Sequence, residues 1–363
     1  MSELEKARKI INEIDKEMSS LFEKRMEAVR IVADYKKQRG LSILDASREK
    51  EVINKNAEYI KDSEIKEYYI KLLEYQMSLS RSYQSRLNNG MKVAYSGVEG
   101  AFAYIASKKM FPDAILVPYP SFEEAYKSVE DGECDSCVLP IENSFAGDVG
   151  TVMDLIFSGS LYINQVIDLP IEHNLLGNEG ATLETIKQVI SHPQALSQCS
   201  GYISKRGYEA KPYTNTAMSA KLVKESGSLE IGAIASDETA NIFGLKIIES
   251  KINESRNNTT RFGAFSRVQK ELTSKKNMND HFILVFTVKN EAGALAKTLD
   301  IIGAHSFNMR NLRSRPMKEL LWSYYFYVEA DGSSGTQDGK DMLRELSATC
   351  DKLKLVGIYN TEN

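Results

Sequence analysis

The sequence predicts a multidomain chain: an all-α segment over residues 1–88, an α/β segment over 91–269 and a small α+β segment over 280–363. Three observations carry this. At 363 residues the chain exceeds what one ordinary core organises. Apart from Gly40, residues 1–88 hold almost no Gly or Pro and carry dense charge at helical spacing. From residue 91 onward, short apolar runs alternate with helical stretches, the pattern of an α/β fold.

The first helix runs roughly from Leu4 to Lys37, with Ile11, Ile14, Met18, Leu21, Val29 and Val32 as an apolar stripe expected to be buried. A break at Gly40 leads to Asp45, a candidate N-cap for a second helix starting near Ala46. A third helix spans about Ser63 to Leu87, and Asn88-Asn89-Gly90 reads as the linker that follows it. In the α/β segment Lys92–Tyr95, Ser136–Pro140, Thr185–Ile190 and Gly232–Ala235 read as strands. The polar run 271–280 reads as a second linker. Beyond it come a strand (Phe282–Val288), a helix opened by Gly293-Ala294-Leu295, and strands near Met309–Ser314 and Ser323–Val328. A helix from about Asp338 and a last strand near Leu355–Tyr359 complete a β-α-β-β-α-β order, which suggests a ferredoxin-like unit.

Composition excludes several classes. Apolar content of 42% and charged content of 26% are those of a soluble globular protein. The chain shows no secretory or membrane-spanning apolar run and reads as cytoplasmic. A net charge of −4 with interspersed signs argues against nucleic acid or an anionic membrane as partner. It leaves open an anionic small substrate, which local arginines bind. Cys134 and Cys137 form a C-x-x-C, open to a redox or zinc reading. No second pair exists, the four histidines lack ligand spacing, and Cys137 begins an apolar run, so the structural reading is preferred.

At 100° per residue, Arg25 lies about 20° from Ile14 and Val32, and Lys36 about 20° from Arg25. Two cations thus share the stripe meant for burial: either their heads snorkel out, or they line an internal anionic site. Arg8 lies about 25 Å from Arg25 along the same helix, so one small dicarboxylate cannot touch both. Ser80 and Gln84 share the face of Leu73 and Met77, where buried polar groups require partners. The series Arg8, Arg25, Lys36, Asp45, Arg48, Glu49, Ser80, Gln84 resembles that of the all-helical chorismate mutases, over residues 4–87. The resemblance implies an intertwined homodimer in which one arginine per site comes from the partner. It further implies that Arg8, Arg25 and Arg48 hold the carboxylates of chorismate, and that Lys36 and Gln84 donate to the ether oxygen. Glu49 would accept from the ring hydroxyl, Ser80 would belong to the site, and Asp45 either joins it or caps its helix. Clamping the reactive conformer and stabilising charge on the ether oxygen would suffice for the Claisen rearrangement to prephenate.

Three clusters in the α/β segment do not read as packing. Glu142-Asn143-Ser144 and Ser191-His192-Pro193-Gln194 both place polar residues at strand ends, where α/β sheets bind ligands. The third is Thr260-Arg261-Phe262. Gly97-x-x-Gly100-Ala101-Phe102 adds a turn after the first strand, and Thr216-Ala217 a further polar site. Together they resemble the prephenate dehydratase domain, which implies a cleft between two α/β lobes, as in periplasmic binding proteins. By that resemblance Thr260 is the essential polar group at the leaving hydroxyl, as hydrogen-bond donor or proton relay. Arg261 is a substrate or structural anchor, and Asn143, Ser144, His192, Gln194 and Thr216 line the cleft. Glu142, were burial to raise its pKa, is the candidate ultimate proton source. Expelling hydroxide and carbon dioxide from prephenate yields an aromatic ring, so no metal or cofactor is required.

In the last segment Gly293-Ala294-Leu295 and Arg313-Ser314-Arg315-Pro316 resemble the two motifs of the phenylalanine-binding ACT domain. Gly293, Ala294, Leu295, Ser314, Arg315 and Pro316 would then form an effector site, with Arg313 standing where the family usually has Glu. The combined expectation is a self-associating enzyme of phenylalanine biosynthesis, dimer or tetramer. It would carry chorismate through prephenate to phenylpyruvate under inhibition by L-phenylalanine. Arogenate as substrate, and a non-catalytic solute-sensing role for the two lobes, are the alternatives.

Overall fold

In the computed structural model, residues 2–255, 257–270, 279–317 and 324–360 are described. Helix α1 (Glu3–Gln38) starts in a capping box: Ser2 Oγ accepts the Glu5 amide at 3.2 Å, and the Glu5 carboxylate accepts the Ser2 amide at 2.7 Å. Asp45 caps α2 (Ala46–Ala57) by accepting the Arg48 amide, and Asp62 caps α3 (Ser63–Asn89) by accepting the Glu64 amide. Helix α3 runs on through Asn88 and Asn89, so the expected linker shrinks to Gly90. The α1 stripe also departs from expectation. Val29 and Ala33 are buried, but Ile11, Ile14, Met18, Leu21 and Val32 are exposed in the single chain. On α3, Leu73, Met77, Ser80 and Gln84 share one buried face, as their spacing requires.

The chain divides into two units, residues 1–92 with 131–135, and residues 93–130 with 136–363. The second begins with β1 (Lys92–Ser96), α4 (Phe102–Met110), β2 (Ile115–Tyr119) and α5 (Phe122–Glu130). Then follow β3 (Ser136–Asn143), β4 (Gly147–Asp148), α6 (Gly150–Ser158) and β5 (Tyr162–Pro170). The chain next crosses into a second sheet through β6 (Asn174–Gly177), β7 (Gln188–Ser191), α7 (Pro193–Gln198), α8 (Ser200–Arg206) and β8 (Glu209–Pro212). That lobe continues with α9 (Thr216–Ser226), β9 (Ile231–Ala235), α10 (Asp237–Phe243) and β10 (Lys246–Glu249). The chain returns as β11 (Thr259–Ser266). Strand β7 begins at Gln188, three residues later than the sequence suggested.

Strand β3 lies between β1, parallel, and β11, antiparallel, and covers on both faces explain its near-continuous apolar run. The second sheet has the order β10-β6-β9-β7-β8. The two crossings between lobes pair with each other: the Ile171 amide donates to the Asn258 carbonyl and the Ile252 amide to the His173 carbonyl, both at 2.8 Å. The lobes also meet where Thr239 Oγ1 donates to the Gly100 carbonyl (2.8 Å) and Lys108 pairs with Glu238 (2.8 Å). Gly100 holds φ +87° there, and a Cβ would press within 3.3 Å of the Thr239 hydroxyl. Cys134, Cys137 and Cys199 are buried and in no disulfide among the described residues.

The C-terminal elements are β12 (Asp280–Thr287), α11 (Ala294–Ala304), β13 (Met309–Pro316), β14 (Tyr324–Asp331), α12 (Gln337–Thr349) and β15 (Lys352–Asn360). Their order is the expected β-α-β-β-α-β, with strands arranged β13-β14-β12-β15. Of the expected linker, residues 271–278 lie outside the described residues, as does Ser323 of the expected third strand. One sheet face buries Phe282, Leu284, Phe286 and Val328 against Ile302, Met342 and Leu346 of the helices. At its edge β15 joins β5 in parallel through Gly357, which stands against the Ile163 backbone where a Cβ would collide. Among the described residues no helix is long and apolar enough to cross a membrane.

The other face presents Tyr325, Tyr327, Tyr359 and Glu329 to the α/β elements. Glu329, 2% exposed at its side chain, accepts from Tyr359 Oη at 2.5 Å and Arg261 Nη1 at 3.2 Å. Arg261 also pairs with Asp168 at 2.9 Å. Removing the arginine strands a buried carboxylate, so Arg261→Ala is expected to cost about 3–5 kcal/mol of unfolding free energy. Chemical denaturation followed by circular dichroism measures this, with Arg261→Lys expected to lose less.

Candidate active sites

Within the helical unit, α1 and α3 bring Arg25 to Ser80, whose Oγ accepts from Nη1 at 2.5 Å. Burial lowers the Arg25 pKa from its ordinary value, a sign of a guanidinium drawn into low dielectric. Gln84, one turn beyond Ser80, is buried with its Oε1 unpartnered among the described residues. The remaining candidates are engaged elsewhere. Arg81 Nη1 bonds the Glu49 carboxylate at 2.5 Å, Lys36 Nζ donates to the Ile43 carbonyl, and Arg48 pairs with Glu51 on the surface. Asp45 is the helix cap, so of its two readings the structural one holds. Arg8 is exposed on α1. Arg81 was missed by sequence reading; its place one turn before the Gln84 face was the available signal.

In the second unit, a cavity of about 210 Å³ lies between the lobes. Ala101, Phe102, Asn143 and Thr260 line it from one side, and His192, Gln194, Gln198 and Thr216 from the other, with His173 on the crossing between. Asn143 organises it. Its Oδ1 accepts the amides of Phe145 (3.0 Å) and Ala146 (2.9 Å), which fixes the side-chain orientation. Its Nδ2 therefore faces Thr260 Oγ1 and Asn258 Oδ1, both at 2.9 Å. Thr260, opposite Asn143 in the β3–β11 register, thus accepts from the amide and keeps its own proton for the cavity.

The same logic runs onward. With Asn258 Oδ1 accepting, its Nδ2 donates to Gln198 Oε1 at 3.0 Å, and that oxygen also meets His173 Nε2 at 2.8 Å. His173 Nε2 therefore carries hydrogen. His192 caps α7 by accepting the Gln194 amide at Nδ1 (3.2 Å), which leaves an Nε2 hydrogen for a ligand. Burial lowers the pKa of both histidines, keeping them neutral near pH 7 in the free protein. Asn215 caps α9, and the N-termini of α4 and α9 both border the cavity, offering positive helix ends to an anion.

Three expected cleft residues are not there. Side chains alternate along a strand, so with Asn143 and Thr260 turned to the cleft, Glu142 and Arg261 face away. Glu142 pairs with Arg313 at 2.5 Å, in place of acting as proton source. Arg261 binds Asp168 and Glu329 away from the cavity, the position of a structural anchor. Ser144 fastens the loop before β11: its Oγ donates to the Asn257 carbonyl (3.0 Å) and accepts the Thr259 amide (2.9 Å). Sequence reading missed His173 and Asn215, and gave Asn258, within the cluster 258–262, no role of its own. A histidine directly after the strand ending at Pro170 was the available signal for the first.

In the C-terminal elements a cavity of about 420 Å³ is lined by Asn290, Glu291, Leu295 and Phe326 among others. Ala294 turns its amide to the Glu291 carbonyl (3.2 Å), so that donor is not free for an effector. Ser314 is in register with Phe326 of the helix-covered face, whereas Arg313 and Arg315 are in register with Tyr327 and Tyr325 of the other. Arg315 accordingly reaches Asp154 at 3.6 Å and packs on Gly150, contrary to its expected place in an effector site. Arg313 also pairs with Asp148.

Comparison with known proteins gives concordant matches. A prephenate dehydratase family model matches residues 93–270, and a type II chorismate mutase model matches residues 7–85. A bifunctional chorismate mutase/prephenate dehydratase of Buchnera aphidicola is 30% identical over 367 residues, spanning 97% of this chain and 95% of that protein. Arogenate dehydratase/prephenate dehydratase 1 of Arabidopsis thaliana is 32% identical over 74% of this chain and 72% of its own. Among solved structures, prephenate dehydratase from Arthrobacter aurescens in complex with L-Phe superposes with a TM-score of 0.68 at 27% identity, covering 74% of this chain and 90% of that one.

Asn143→Asp keeps both acceptor bonds to the loop and loses the donor bonds to Thr260 and Asn258. It is expected to cost about 1–3 kcal/mol. Hydrogen exchange should find the amides of Phe145 and Ala146 still protected.

Proposed function

The chain belongs to the family of bifunctional chorismate mutase/prephenate dehydratases, and from that premise we propose how its residues divide the work. It rearranges chorismate to prephenate and converts prephenate to phenylpyruvate by loss of water and carbon dioxide. In our reading residues 1–88 carry the first reaction, 91–269 the second, and 280–363 form a regulatory ACT domain.

For the mutase, Arg25 and Arg48 hold the carboxylates, with Arg8 supplied by a partner chain. The exposed α1 stripe, from Ile11 to Val32, supports such an intertwined pairing, since exposed apolar faces of this length are usually covered. Lys36 and Gln84 donate to the breaking ether bond, Ser80 steadies Arg25, and Glu49, oriented by Arg81, accepts the ring hydroxyl. Burial of Arg25 and Gln84 supports a water-poor site, in which fixed donors act most strongly on developing charge.

For the dehydratase, the observation that carries the reading is Thr260, held as acceptor by Asn143 with its hydroxyl proton free for the cavity. We assign that hydroxyl to the leaving C4 oxygen of prephenate. His192 Nε2, Gln194, Thr216 and the ends of α4 and α9 hold the carboxylates. In the C-terminal domain the cavity beside Gly293, Ala294 and Leu295 is our candidate for L-phenylalanine, with Ser314 and Pro316 on its side of the sheet. Glu291 is the carboxylate there for the effector's ammonium group, a task left open by Arg313.

Incubation with chorismate alone, products identified by mass spectrometry, is expected to yield phenylpyruvate, with less formed when phenylalanine is added. Arg25→Ala should halt the first step, and Thr260→Ala should leave prephenate to accumulate with dehydratase kcat down about 100-fold or more. Arogenate consumed faster than prephenate would reverse the substrate assignment.

A further inference from the structure

Expelling the C4 hydroxyl as water consumes a proton, and a threonine alcohol relays one without being its source. With Glu142 committed to Arg313 on the far face, the titratable residues among the described ones that border the cleft cavity are His173 and His192. They are not equivalent. His192 spends Nδ1 on the Gln194 amide, so protonating it would break the cap of α7. His173 is 2% exposed, its ring lies edge-on to Phe102 (centroids 5.7 Å apart, 75°), and Nε2 donates to Gln198. Its Nδ1 is buried with no hydrogen-bond partner among the described residues. A buried polar atom left unpaired is costly unless a ligand completes it.

We propose that His173 is the proton donor of the dehydration, protonated at Nδ1 in the substrate complex and aimed at the C4 hydroxyl that Thr260 also holds. This rests on the dehydratase reading above. In the step, the Nδ1 proton passes to the C4 oxygen as the C4–O bond breaks, and water leaves. The electron pair of the C1–carboxylate bond moves into the ring, carbon dioxide departs, and the neutral imidazole takes its next proton from solvent.

The surroundings fit. Burial lowers the His173 pKa, against a weaker raising effect from the Gln198 bond. Neighbouring charges are engaged elsewhere: Glu172 with Lys251, and Glu254 with Ser200 and the Gly201 amide. The free site thus holds a neutral ring, and arrival of a dicarboxylate favours its charged form. Proton uptake is thereby tied to substrate binding, and kcat should fall as pH rises through the His173 pKa of the complex.

The test compares wild type, His173→Asn and His192→Asn on prephenate across pH. His173→Asn is expected to lower kcat about 100-fold or more with KM changed only a few-fold, and to abolish the decline on the alkaline side. For His173→Ala, added imidazole is expected to restore part of the rate. A His173→Asn enzyme within about fivefold of wild-type kcat, or one that keeps the alkaline decline, overturns the assignment. So does an alkaline decline that vanishes in His192→Asn instead. Wild type forming no phenylpyruvate at any pH would refute the dehydratase reading itself, a result distinct from the others.

Discussion

The cleft depends on one small constraint: two backbone amides, of Phe145 and Ala146, pin the side-chain carbonyl of Asn143. From that fixed point every neighbouring amide and ring has its orientation determined in turn, through Asn258 and Gln198 to His173 and directly to Thr260. Polar networks in low dielectric are stable only when each member has its partner. Among the described residues this one is satisfied save at two groups, the Thr260 hydroxyl proton and the buried His173 Nδ1. Unfinished hydrogen bonding at those two positions is why we read the cavity as the dehydratase site.

Chemistry and architecture share the same strands. Because alternate residues point to opposite faces, β3 and β11 serve the cleft with Asn143 and Thr260 and the C-terminal elements with Glu142 and Arg261. Buried tyrosines and Glu329 receive Arg261 on that second face, so the β-α-β-β-α-β elements are fastened to the strands that line the cleft.

Much of this was legible in the sequence. Helical periodicity, the cap Asp45, and apolar runs such as Cys137–Leu139 locate the elements within a few residues. Polar residues at strand ends pointed to Asn143 and His192, and the resemblance of Thr260-Arg261-Phe262 to Thr260; all three line the cavity. What escaped were matters of pairing. Adjacent residues in Glu142-Asn143 and Thr260-Arg261 look like one cluster in sequence, yet the pleat sends them to opposite faces. Glu142 and Arg313 are 171 positions apart in number, and only the fold shows that they meet. His173 has no motif around it, since its importance comes from Gln198 and Phe102, which reach it from other elements. The α1 stripe was legible as apolar, but periodicity alone cannot say whether it is covered by its own chain.

Arg313 carries two carboxylates, Glu142 on β3 and Asp148 on β4, and these flank the loop that pins Asn143. Its side chain is only 12% exposed, so dissolved salt screens these pairs far less than surface ones. The three positions are therefore not independent variables for mutation. An acidic residue at 313 would set three negative charges together beside the Asn143 loop. The choice of residue at 313 in the C-terminal elements is thus tied to the charges that flank a loop of the cleft.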